Sequence, residues 1–124
     1  MSKIYLGLIT SSGNAEHLKW YEGISTHIEG MAVVWHGLRD EGFNILDRNK
    51  GNGFIVEREF YGHHGHSMND FLLNPKIRPG DWIVLRDTLE KLNIIFLSQL
   101  RDFVSQLESQ GIGSVFQYSK LFLF

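Results

Sequence analysis

Lys3-Ile4-Tyr5-Leu6-Gly7-Leu8-Ile9, followed by Thr10-Ser11-Ser12-Gly13-Asn14, is an apolar run rich in β-formers that ends in a polar, turn-forming cluster. It reads as a buried first strand. Ser12 or Asn14 can then cap a helix from Ala15 to about His27. Leu18, Tyr21, Ile24 or Ser25, and Ile28 recur at helical spacing, and Glu16 falls in the first turn, where the helix dipole favours an anion. Gly30 stops that helix, and Met31-Ala32-Val33-Val34-Trp35 is a second apolar run. The opening third is therefore a β-α-β unit with neighbouring parallel strands and a right-handed crossover.

Outward from this unit the alternation continues. Residues 37 to 53, with Gly37, Gly42, Gly51 and Gly53 among charged and amide side chains, are expected to form a loop with at most a short helix. Phe54 to Phe60 reads as a third strand, and Ser67 to Asn74 as a short helix carrying Met68, Phe71 and Leu72. Arg78-Pro79-Gly80-Asp81 is turn chemistry, and Trp82-Ile83-Val84-Leu85 a fourth strand. The longest helix is expected from about Asn93 to Gln110, with an apolar stripe of Phe96, Leu97, Leu100, Phe103, Val104 and Leu107 and Gly111 beyond its end. Ser114 to Phe124 reads as a last strand, which either closes the sheet or leads into a longer chain. This order argues for an α/β fold in one domain, residues 1–124, with a mostly parallel sheet and helices on both faces.

Composition removes several function classes. The 12 basic and 14 acidic residues give a net charge of -2 with no block of one sign, so neither nucleic acid nor an anionic membrane is an expected partner. With no cysteine, no disulfide or thiolate metal site can form, which suits a reducing, cytoplasmic location. No apolar stretch approaches the length of a membrane span, and the N-terminus lacks the apolar region of a signal peptide.

In open parallel sheets ligands sit at the carboxyl ends of strands, which directs attention to Thr10 to Asn14, Trp35 to Asp40, Tyr61 to Asn69 and Arg86 to Glu90. Thr10, Ser11 and Ser12 offer hydroxyls and backbone N–H groups to a phosphate or ribose, or they simply cap a helix. Asp87 ends a buried strand with Glu90 three positions on, a spacing that suits a divalent metal and equally suits two carboxylates in a first helical turn. His63, His64 and His66 form a glycine-rich cluster, read as zinc ligands, phosphate donors or a polar loop. The chain has no Gly-x-Ser-x-Gly, no Gly-x-Gly-x-x-Gly and no phosphate loop, which argues against a serine hydrolase, a dehydrogenase or a P-loop enzyme. Trp20, Trp35 and Trp82 fall on elements expected to be packed.

The segment Gly80-Asp81-Trp82-Ile83-Val84-Leu85-Arg86-Asp87-Thr88-Leu89-Glu90 resembles the centre of family 2 glycosyltransferases of the GT-A type, where a Gly-Asp-Trp turn leads through a hydrophobic strand into an acidic motif. His66 to Phe71 is similar to that family's short helix, and Phe96 to Gln110 to the helix after its acidic motif. The resemblance covers the nucleotide-binding, N-terminal half of such an enzyme. It implies a three-layer, Rossmann-like fold of the nucleotide-diphospho-sugar transferase type. It further implies a nucleotide-sugar, a UDP-sugar first, bound near Thr10, Ser11, Ser12, His36, Asp40 and Asn69, with a divalent metal (Mn or Mg) at Asp87 and Glu90. The chain departs from the pattern at Leu89, which stands where a second aspartate is expected, and at His36, which stands where an acidic residue usually reads the nucleotide. The acceptor-binding half is absent, so the expected activity is incomplete or lost in this chain alone. The alternative expectation is a non-enzymatic, homo-oligomeric assembly module, with Leu121-Phe122-Leu123-Phe124 as an apolar edge for a dimer mate.

Overall fold

The apolar runs separated by polar turns become eight main elements. They are β1 (Ile4–Ser11), α1 (Ala15–Leu18), β2 (Gly30–His36), α2 (Glu41–Asn49), β3 (Phe54–Glu57), α3 (Gly65–Leu72), β4 (Trp82–Arg86) and α4 (Ile94–Ser109). The computed structural model describes residues 3–59, 65–86, 88 and 94–111, and for 65–67 and 94–96 the backbone alone. The expected last strand, Ser114 to Phe124, and its apolar edge lie outside the described residues, as do Phe60, His63 and His64.

The four strands form one sheet in the order β3-β2-β1-β4, and every pairing is parallel. β1 pairs with β2 from Tyr5↔Gly30 to Ser11↔His36, and on its other side with β4 from Ile4↔Trp82 to Leu8↔Arg86. The α/β class expected from the alternation is therefore the one observed. Because successive side chains in a strand point to opposite faces, β1 feeds two cores. Leu6 and Leu8 join Met31, Val33 and Trp35 under Leu18, Tyr21, Phe43, Leu46 and Leu97. Tyr5 joins Ala32, Val34 and Phe54 under Phe71 on the opposite face. α1, α2 and α4 thus cover one face and α3 the other. β2, buried along all seven residues, has no solvent side and reads as an uninterrupted apolar run, as strands of covered parallel sheets do.

α4 runs antiparallel to the strands. Leu97 joins the cluster of Leu6 and Leu8, whereas Leu100 and Val104 join Ile4 at the opposite end of β1. Trp82 Nε1 donates to Glu108 Oε2 at 3.1 Å, fixing the C-terminal turn of α4 beside the start of β4. The first turn of α4 therefore lies at the carboxyl edge of the sheet. The apolar stripe is narrower than the sequence suggests: Leu97, Leu100 and Val104 are buried while Phe103 is 47% exposed.

Two further expectations need correction. The helix from Ala15 to about His27 is broken into α1 and two 3-10 turns, Lys19–Tyr21 and Ile24–Thr26, separated by Gly23 at φ 78. Leu18, Tyr21 and Ile24 are nevertheless buried as a helical stripe would place them, so the periodicity reports burial and not continuity. The break is held from α2: Gly23 N–H donates to Asn49 Oδ1 at 2.8 Å, and Asn49 Nδ2 donates to Glu22 Oε2 at 2.7 Å. Those bonds, with Arg48 donating to the same carboxylate at 2.5 Å, hold the Glu22 carboxyl below the ordinary range, the Asn49 amide contributing most.

The second correction concerns residues 37 to 53, which contain the nine-residue helix α2. Asp40 caps it by accepting from the Phe43 N–H at 3.2 Å, and Phe43, Ile45, Leu46 and Asn49 are buried. Glycines dominate the composition of this stretch but flank the helix more than they interrupt it. Gly30 and Gly53 belong instead to a close backbone approach, where a Cβ on Gly53 would overlap the carbonyl of Met31.

Candidate functional site

Since all four strands are parallel, their carboxyl ends lie on one edge, and the polar residues that close each strand gather there. β1 extends two residues further than its apolar run and includes Thr10 and Ser11. The loops that follow β1 and β2 are tied together. Ser12 N–H donates to His36 O at 3.1 Å, and Gly13 N–H donates to Asp40 Oδ2 at 2.8 Å. Asp40 thus receives one N–H from the loop after β1 and one from the first turn of α2, one oxygen each. Gly37, at φ 100, passes so close to Ser12 that a Cβ would stand 2.6 Å from its Oγ. Asn14 is the residue before α1, yet its amide turns back to Ser11, donating to the carbonyl oxygen at 3.0 Å and lying 3.3 Å from the hydroxyl.

His36 is 8% exposed, and its Nδ1 lies 2.6 Å from the Arg58 carbonyl oxygen. A carbonyl only accepts, so Nδ1 carries the proton in this bond. Arg58 in turn forms a two-bond ion pair with Asp70 of α3, its Nε to Oδ2 and its Nη2 to Oδ1 at 2.6 Å. This chain links the end of β2, the exit of β3 and α3. Asp70 is the residue that α3 contributes to this chain, and its neighbour Asn69 is exposed. Nearby, Arg39 grips Glu57 through Nε at 2.9 Å and Nη2 at 2.6 Å, and stacks 4.6 Å above the Phe43 ring. The bond from Arg39 holds the Glu57 carboxyl below its ordinary range.

The other face of the edge differs. Thr10 is 5% exposed and its Oγ1 finds no hydrogen-bond partner among the described residues. It projects on the face of Leu6 and Leu8, level in the β1–β2 register with Trp35. Across the β1–β4 pairing, Arg86 stands level with Leu8 on that face, and Thr88, two residues on, is buried.

No family model, curated protein or solved structure matches the chain.

The structure brings Thr10, Ser11, Ser12, His36 and Asp40 to one edge and places Asn69 outside their bonded network. Asp87, Glu90, His63 and His64 lie outside the described residues, as does the His66 side chain. Among the described residues no group of three His, Asp or Glu side chains is placed to hold a metal ion, and no helix is long and apolar enough to cross a membrane. Sequence reasoning did not single out Arg58, Asp70 or Arg86 as site residues. Arg58 and Asp70 lie on different elements, and no local spacing announces their pairing.

Proposed function

We propose that the chain is a glycosyltransferase-like domain with a Rossmann-like sheet that binds a nucleotide-sugar, a UDP-sugar first, at the carboxyl edge. On this reading Asp87 and Glu90 hold a divalent ion, Mn or Mg, whose charge offsets that of the diphosphate. The chain alone is incomplete for sugar transfer. The observation that carries the reading is the shared edge: parallel pairing sets Thr10 to Ser12, His36 to Asp40 and the strand leading into Asp87 side by side. Isothermal calorimetry of UDP and UDP-sugars, with and without manganese, tests it beside an Asp87→Ala variant. Manganese-dependent heat that the variant loses supports a donor site, and the absence of heat with every nucleotide removes the reading.

A second reading, an assembly module that keeps the fold without the chemistry, is favoured by exposed apolar side chains on α3, on the turn after it and on β4, at the edge of the described sheet. Leu72 is 65%, Leu73 80% and Leu85 39% exposed. Solution mass by light scattering decides it. A concentration-independent dimer that Leu73→Ser together with Leu85→Ser dissociates supports the module, and a strict monomer excludes it.

A further inference from the structure

The buried hydroxyl of Thr10 is the least explained group in the described structure. A buried polar side chain normally has a partner, and leaving it unpaired is destabilising. Valine has nearly the same shape and would fill the position without that cost, so an unpaired threonine here asks for a ligand.

Three features surround the hydroxyl. Arg86 sits on the same face, one strand over and two residues nearer the strand start by the Leu8↔Arg86 register. Arg86 has an interaction of its own, and the argument needs only its charge. Second, the sixteen-residue helix α4 begins at Ile94, one turn before Leu97, and Leu97 clusters with Leu6 and Leu8. Its positive pole therefore lies toward the carboxyl end of β1, on the face of Thr10. Third, buried Thr88 follows Arg86 on the chain toward that helix.

A hydroxyl that can donate, a guanidinium and a helix N-terminus together favour an anion with several acceptor oxygens. We infer that the niche between β1 and β4, beneath the first turn of α4, binds a phosphate group, with the Thr10 hydroxyl donating to one of its oxygens and Arg86 neutralising its charge. This rests on the nucleotide-sugar reading only for the carrier of the phosphate, and it requires no divalent metal.

The test follows thermal unfolding of the full chain in a chelator, titrating inorganic phosphate, pyrophosphate and UDP against chloride at fixed ionic strength. The expected result is a midpoint that rises with phosphate or pyrophosphate. Thr10→Val should unfold at or above the wild-type temperature without phosphate and bind it at least about 10-fold more weakly, the loss of one hydrogen bond to a charged group. Thr10→Ser should restore the response, and Arg86→Gln should weaken it. No rise with any phosphate, or a rise that Thr10→Val retains, overturns the proposal. A response to phosphate without one to UDP keeps this niche and removes the nucleotide. In the calorimetry with manganese and no chelator, UDP binding that Thr10→Val leaves unchanged keeps the nucleotide reading and removes the niche.

Discussion

Asp40 shows how one side chain serves two elements. Its two oxygens receive the N–H groups of Phe43 and Gly13, so it both starts α2 and clasps the loop after β1. Asp40→Ala should cost about 1–2 kcal/mol in urea unfolding, at the upper end for a cap because a second bond is lost, while Asp40→Asn, with one acceptor oxygen and an NH2 against the other N–H, should recover only part of it. Glu22 makes a different prediction. Its folded carboxyl titrates below the ordinary range, held there first by Asn49 and then by Arg48. The stabilisation is present in full above the unfolded value and is lost as pH falls through the lowered one. Thermal melts should therefore show wild type above Glu22→Gln at neutral pH, with the gap closing in acid. Neither structural role of Asp40 was legible: the glycines around it read as a loop and hide the helix that it caps, and its bond to Gly13 spans 27 positions that no local pattern carries. The same holds for Arg58 and Asp70, which meet only because α3 folds back over β2.

At the level of elements, apolar spacing located buried positions more faithfully than it located helices. Leu18, Tyr21 and Ile24 are buried although the helix through them is broken, because Gly23 takes a left-handed turn that Asn49 secures. α2 was hidden for the opposite reason: its neighbouring glycines resemble a loop, while its buried side chains dock it against the sheet and, through Asn49, against the turn at Glu22 and Gly23. In α4 only part of the expected stripe is covered by described residues: Leu97, Leu100 and Val104 are buried and Phe103 is exposed. Leu100→Ala should accordingly cost about 2–5 kcal/mol by urea unfolding, whereas Phe103→Ser should stay within about 0.5 kcal/mol. Equal losses at the two positions would mean that Phe103 is covered in solution.

For the whole molecule, β1 and β2 are the described strands paired on both edges and packed on both faces, so their amides should exchange with solvent at the rate of global unfolding. β3 pairs on one side over four residues, and its amides should exchange faster; hydrogen exchange read by mass spectrometry or NMR measures the difference. The α/β class followed from sequence because each strand is an apolar run bounded by turn residues. The strand order did not, since a pairing such as Tyr5 with Ile83 leaves no trace in either segment.

That pairing bears on how the protein is made. β1 leaves the ribosome ahead of β4, and the edge that β4 covers stays bare until it follows, nearly eighty residues later. At roughly 5–20 residues per second the delay is about 4–16 s. During translation the sheet's future centre is an exposed, sticky strand. A nascent chain stalled before Trp82 should thus be the form that chaperones bind and proteases cut, and release of residues through Arg86 should end that vulnerability.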